Sequence, residues 1–313
     1  GGRGMSISHA VAAIEGTARA TSEMMPVLAA LTYALAAFGF MASLIPYDSL
    51  LVDVTKGSRM DRISGLGFGL GYLGGGLLFV LNVLWYLQPE WFGIPDSATA
   101  VRLSFLSVSI WWALFSIPLF LFVKERRDQP QSANGSLLRN SWRDVFATLR
   151  EITAHREILL FLLAYFFYIE GVNTTIKMAI DYGLSLGFDS ANLITALLIV
   201  QFVAFPFAII FGWIGEKFGA WNGLYLAISV YIMMAMMAYR MTEVWQFYWM
   251  AVAIGTVQGG VQALSRSLYA ARIPPDRAAQ YFGFFNMLGK FSAVLGPIVV
   301  GVAVTLSGTP RAT

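Results

Sequence analysis

The sequence predicts an all-α fold: a polytopic membrane protein, a helical bundle with about eight transmembrane helices. Three observations carry this. The 313 residues are 57% hydrophobic and 12% charged, about half the charged fraction of a typical soluble domain. The charges cluster, leaving apolar runs long enough for the ~20 residues that cross the ~30 Å hydrocarbon core. The Lys and Arg residues fall on alternate loops, as cytoplasmic loops require. A soluble chain of this size lacks the interior to hide so much apolar surface. The runs are continuous and show no period-two alternation, which favours helices over barrel strands.

Taken in order, Met24–Pro46, Ile63–Pro89 and Leu103–Val123 are free of charge. Ile158–Ile176 is interrupted once, by Glu170. Ser190–Gly215, Phe218–Tyr239 and Val244–Ser265 are again free of charge, and Ala278–Ser307 is interrupted once, by Lys290. Four loops on one side carry Lys56, Arg59 and Arg62; then Lys124, Arg126, Arg127, Arg139, Arg143, Arg150 and Arg156; then Lys217; then Arg266, Arg272 and Arg277. The opposite side carries Arg102, Lys177 and Arg240. This asymmetry supports eight spans and puts the central loop in the cytoplasm. The organisation read from it is residues 1–23 as an unassigned N-terminal remnant, 24–123 as three spans of one half, 124–156 as a cytoplasmic linker, and 157–313 as a half of five spans. The linker is polar and turn-like to about Ser136. From there an amphipathic interfacial helix is expected, with Leu137, Leu138, Trp142, Val145, Phe146 and Leu149 on its apolar side.

Cysteine is absent and the two histidines, His9 and His155, are far apart, so no thiolate chemistry and no Cys-ligated metal is available. No nucleophile–base pair or metal cluster stands out, so no catalytic residues, metal or cofactor are expected, and an enzyme is disfavoured. The net charge of +3 reflects membrane topology rather than a nucleic-acid partner.

Polar residues inside the spans are the candidates for function, because a charge near the bilayer centre costs at least ~2.5–3.5 kcal/mol and faces protein or water. Glu170 lies about 12 residues, or ~18 Å, into its span, and Asn173 and Lys177 continue its stripe. Lys290 lies at a comparable depth, with Asn286 one turn before it. The comparable depths allow a Glu170–Lys290 ion pair. It would serve either as a substrate or proton-coupling site or as a permanent lock between two helices. Gln201, Gln258 and Gln262 line the cavity or hydrogen-bond between helices, with Ser265 continuing the Gln258–Gln262 face. Gly67, Gly71 and Gly75 read as a small-residue packing ridge, Pro297 as a kink, and Met233, Met234, Met236 and Met237 as lipid-facing or packing residues. Asp48 and Asp53 are expected to face Arg59 and Arg62 across a short cytoplasmic stretch.

An internal repeat adds to this. Asp61-Arg62 is followed by Leu73-Gly74, and Asp276-Arg277 at the same spacing by Leu288-Gly289, with an offset of 215 residues. Both lead into a span of the same orientation, the pattern of parallel repeats. The string GWIGEKFG at 212–219 is similar to the loop signature of the major facilitator superfamily, with Glu216 and Lys217 in its acid and base positions. The segments PYDSLLVDV, RISGLGFGLGYLGGGLL, LLAYFFYIEGVNTTI, GGVQALSRSLYAARIPPDR and YFGFFNMLGKFSAVLGP, which cover most of residues 45–300, resemble one branch, the vacuole-effluxer-like family of amino-acid exporters and its bacterial relatives.

The resemblance implies a twelve-helix carrier in which these spans correspond to helices four to eleven, so the chain reads as part of something longer. It also implies a secondary transporter working by alternating access, with a small-molecule substrate, an amino acid above all, and proton coupling as an option. Exporters of other amphipathic solutes, and a fragment that does not transport, are the alternatives. It further implies that Asp48, Arg62, Glu216, Lys217 and Arg266 form a cytoplasmic gate latch. The short central loop favours a bacterial inner membrane over a vacuolar one.

Overall fold

A computed structural model describes residues 7–57, 59–123 and 137–307. It is all helical, with no strand among the described residues. The helices are α1 (Ile7–Ser49), α2 (Leu51–Val54), α3 (Arg59–Leu87), α4 (Ser97–Phe122), α5 (Leu137–Ala154), α6 (Arg156–Ser185), α7 (Ser190–Phe218), α8 (Ala220–Ala238), α9 (Val244–Ala270) and α10 (Ala278–Ser307). The chain divides into two units at Tyr47/Asp48. In the first, α1 exposes Val27, Leu31, Tyr33, Leu35 and Phe38 along its length, as a helix solvated by lipid tails does. The first residues of the chain and the segment 124–136, where the polar part of the linker was expected, lie outside the described residues.

In the second unit the exposed surface is equally apolar: Phe105, Phe120, Phe122, Met236 and Trp249 are all exposed. Among the described residues, seven stretches are long and apolar enough to cross a membrane: Pro26–Val54, Arg59–Leu87, Ser97–Phe122, Arg156–Ser185, Ser190–Phe218, Ala220–Ala238 and Pro275–Val302. The eighth expected span, Val244–Ser265, forms the helix α9, whose 27 residues reach ~40 Å at 1.5 Å per residue, but α9 is not among the stretches apolar enough to cross. It falls short in apolarity for a physical reason. Helices α7, α8 and α3 pack against it. Trp245 and Trp249 near its start are exposed, but residues 263–270 are all buried, so this end meets protein and carries Ser265 and Arg266 out of the hydrocarbon.

Glycines set the closest helix contact. A Cβ on Gly65 would stand 2.6 Å from the Ala208 carbonyl and 2.8 Å from the Gly212 Cα, and one on Gly212 2.8 Å from the Asp61 carbonyl. The backbones of α3 and α7 therefore touch, as small-residue interfaces allow. The packing ridge of α3 is Gly65, Gly69 and Gly76, all buried, rather than the expected Gly67–Gly71–Gly75; Gly71 faces open space. Both ridges have helical spacing, and the sequence alone does not fix which one faces the neighbour. Three of the four clustered methionines, Met233, Met236 and Met237, are exposed, while Met234 sits in the core.

The N-terminus of α4 is capped by Asp96, which accepts from the Thr99 amide at 2.7 Å. That bond and the one from the Thr99 hydroxyl hold the Asp96 carboxyl below the usual carboxylate range.

Candidate functional site

The most enclosed charges among the described residues meet where the end of α1, the start of α3, the end of α9 and the first half of α10 come together. Arg266 is 4% exposed and Asp48 7%. The Arg266 Nη1 group donates to Asp48 Oδ1 at 3.3 Å, its Nε to Ser64 Oγ at 3.0 Å and its Nη2 to the Ser64 carbonyl at 3.3 Å. Ser64 in turn donates to the Ala263 carbonyl at 2.8 Å. The guanidinium also lies over the Phe68 ring, 4.7 Å from its centre. The other Asp48 oxygen accepts from Asn286 Nδ2 at 3.0 Å, and Lys290 interacts electrostatically with Asp48 and with Lys177. A planar five-donor cation suits this position, because one side chain satisfies a carboxylate, a hydroxyl and a carbonyl from two other helices.

This arrangement merges two groups that the sequence kept apart. Asp48 and Arg266 were expected at a gate, Asn286 and Lys290 at a substrate site, and all four share one network. Asp48 does not take its partner from the neighbouring Arg59 and Arg62, because its helix end turns inward to Arg266, 218 residues away. Arg266 itself is an internal residue of α9, not of a loop.

The Glu170–Lys290 ion pair that the depths allow is not among the ion pairs of the described residues. Glu170 accepts from Thr174 at 2.9 Å and has no ion pair among the described residues. It packs where a Cβ on Gly296 of α10 would overlap Thr174 Oγ1. The rest of its stripe holds α10 by the backbone: Asn173 donates to the Gly289 carbonyl at 3.3 Å and Lys177 to the Ala293 carbonyl at 2.9 Å. Ala293 is four residues before Pro297, whose missing N–H leaves that carbonyl without its helical donor. Lys177 replaces the lost bond, as neighbouring side chains do in proline-containing membrane helices.

Gln262 accepts from the Tyr72 hydroxyl at 2.7 Å, and Ser265 is bonded to Tyr168 at 2.7 Å. Gln258, one turn from Gln262, has a buried Oε1 without a hydrogen bond. Gln201 packs against Gly75 and Gly76 of α3.

Of the remaining gate residues, Arg62 approaches Glu216 at 3.8 Å with its side chain 66% exposed. Lys217 is exposed and lies over the rings of Trp213 and Phe218, 4.9 and 5.4 Å from their centres. It joins no charge latch, because helical spacing places Trp213 one turn below it. Asp61 accepts from the Ser267 hydroxyl, a second tie between α3 and α9.

The sequence passed over Ser64 and Ser267, and used Asp61 only as part of the repeat. The signal for Ser64 was available: a polar residue two places after Arg62, opening a glycine-rich face.

At the start of α10, Arg277 pairs with Glu151 and donates to Thr148 Oγ1 at 2.7 Å. Tyr281 and Arg277 beside Glu151 hold its carboxyl below the usual carboxylate range.

The chain matches the vacuole effluxer Atg22-like family over residues 49–312. A protein of Bacillus subtilis described as an uncharacterized MFS-type transporter is 39% identical over 282 residues, which cover 89% of this chain and 65% of the relative. Autophagy-related protein 22 of Yarrowia lipolytica is 26% identical over 275 residues, covering 78% of this chain and 45% of the relative. That of Gibberella zeae is 24% identical over 276 residues, covering 80% and 41%. The chain thus spans about two thirds of the bacterial relative and under half of these fungal ones. No solved structure matches it. The family match contains α3, α9 and α10, three of the four helices that meet at Arg266, and this multi-pass membrane protein belongs to the vacuole effluxer Atg22-like family.

Proposed function

We propose that this chain works in a secondary transporter that moves a small solute across the membrane by alternating access. In this reading residues 24–123 and 157–313 belong to the two moving halves, joined by the linker 124–156, and the Asp48–Arg266–Ser64–Asn286 network is the cytoplasmic gate in its closed form. The observation that carries it is the buried Asp48–Arg266 pair. It joins the two repeats across their cytoplasmic ends by side-chain contacts that can be exchanged for water without unfolding a helix. Family membership supports transport, and the charged network favours a zwitterionic cargo, an amino acid. When the gate opens, Lys290 and Arg266 are placed to receive a carboxylate and Asp48 an ammonium group. Glu170, mid-span and without a cation partner, is the candidate for proton coupling.

A second reading, export of an amphipathic solute, is favoured by a cavity of about 420 Å³ toward the outer ends of α6, α8 and α9. Its lining includes Met178, Asp181, Tyr182, Met234, Tyr239 and Met250. Flux measured in vesicles with an amino-acid panel and an amphipathic-amine panel, with and without a pH gradient, separates the readings. Amino-acid flux that is lost in Asp48→Asn supports the first. Flux of the amphipathic compounds alone supports the second. Flux unchanged in Asp48→Asn sinks the gate assignment.

A further inference from the structure

The linker helix α5 has two different long edges. One is pinned to the bundle. Thr148 and Ile152 are 0% and 2% exposed, Thr148 donates to Gln280 at 3.0 Å, and Glu151 meets Arg277. Beside that edge lies an apolar strip that no described residue covers: Trp142 and Phe146 are each 63% exposed, Val145 43% and Leu149 42%. At about 100° per residue these four fall within an arc of about 100°. Arg143 and Arg150 follow on the far side of the strip, both exposed and neither with a side-chain hydrogen bond or ion pair among the described residues. Around the axis the order is bundle contact, apolar strip, arginine edge. A single residue with extended backbone, His155, separates α5 from the span α6, so α5 ends where the chain enters the membrane on its basic, cytoplasmic side.

We infer that α5 is a membrane-surface helix that docks anionic phospholipid. Trp142, Val145, Phe146 and Leu149 enter the boundary between headgroups and acyl chains, and Arg143 and Arg150 engage headgroup phosphates. Charge complementarity chooses the occupant. A helix lying in the interface carries a cationic edge beside its apolar face, and the cytoplasmic leaflet supplies the negative surface potential. The same helix holds the start of α10 through Arg277, so the lipid contact and the cytoplasmic end of α10 are mechanically joined.

The protein has no cysteine, so single-cysteine labelling of the full chain gives a direct test. An environment-sensitive fluorophore is attached at Phe146→Cys or Leu149→Cys, with Ala147→Cys on the polar side as the control. Each protein is reconstituted in vesicles of phosphatidylcholine alone or with phosphatidylglycerol. Labels at 146 and 149 are expected to be quenched by brominated lipid and shielded from iodide, more so with phosphatidylglycerol, and the label at 147 to show the reverse. Arg143→Gln and Arg150→Gln should each lower the phosphatidylglycerol preference about fivefold. Iodide access to 146 and 149 equal to that at 147 overturns the inference. So does a phosphatidylglycerol effect that survives loss of both arginines. Energy transfer between labelled copies that persists on dilution in lipid also overturns it, by assigning the strip to a second copy of the chain.

Discussion

Two sets of polar residues lie inside this apolar bundle, and they are bonded in different ways. At Arg266 the contacts are mainly between side chains: the guanidinium takes a carboxylate from α1 and a hydroxyl from α3, beside one bond to the Ser64 carbonyl, and Asp48 takes an amide from α10. Along the seam of α6 and α10, side chains bind backbone: Asn173 and Lys177 donate to carbonyls of α10. The first kind can exchange partners, because the charged and hydroxyl groups released are solvatable side chains and every helix keeps its own ladder. The second repairs a ladder that Pro297 has broken and has no equivalent partner to change to. The bundle therefore has a switchable end and a fixed seam, and Glu170, the residue that stood out in the sequence, belongs to the seam.

The sharpest way to break this comparison is Arg266→Met. It leaves the Asp48 carboxylate buried with Asn286 as its hydrogen-bond donor, and breaking a buried pair from one side costs about 3–5 kcal/mol. Thermal unfolding in detergent should show a large loss of stability, and Asp48→Leu combined with Arg266→Met should recover most of it. The double variant separates stability from switching. If the network is a gate, a cysteine at Ser64 becomes accessible to a cytoplasmic thiol reagent in the double variant while the fold persists. A stable double variant with Ser64→Cys still protected would make the network structural.

A smaller effect is expected where α3 crosses α7. Gly65→Ala and Gly212→Ala place a methyl group against backbone atoms, and overpacking of this kind costs about 1–3 kcal/mol. Gly71→Ala, which meets nothing within 4 Å, should be neutral or slightly stabilising, since alanine is the better helix former by up to ~1 kcal/mol. Equal losses at positions 65 and 71 would contradict the observed ridge.

Lys177→Met tests the fixed seam. It removes the donor to the Ala293 carbonyl, and hydrogen bonds between membrane helices are worth about 0.6 kcal/mol on average, up to ~2. The expected loss is about 1 kcal/mol by unfolding, with Ser64→Cys accessibility unchanged. A change in gate accessibility would join the two regions and remove the distinction between them.

How far the sequence reached follows from what periodicity and charge encode. Span positions and sidedness were legible, because length, apolarity and basic loops are one-dimensional quantities. Depth is also one-dimensional, and it placed Glu170 level with Lys290. It says nothing of the direction in which each side chain leaves its helix, which is what decided against that pair. Asp48 looked like a loop acid beside loop arginines. Only the approach of α3 to α7 through Gly65 and Gly212, and the packing of α9 against both, brings Arg266 within reach of it. The same limit explains the glycine ridge: helical spacing predicts that a ridge exists, and the partner helix selects which one.

The smallest effect is expected at the exposed pair that the resemblance made a gate candidate. Glu216→Gln removes the partner of Arg62, which stands 3.8 Å away on a side chain that is 66% exposed. Such pairs contribute about 0–1 kcal/mol and are screened by salt. Lys217 adds nothing to that contact, since its ammonium group lies over Trp213. Glu216→Gln should therefore shift unfolding by under ~1 kcal/mol at low salt and by nothing measurable at high salt, and Ser64→Cys accessibility should change far less than in the Arg266 variant. A shift in accessibility as large as that of Arg266→Met would move the gate outward, from the buried network to the surface pair, and make the enclosed arginine a support for it.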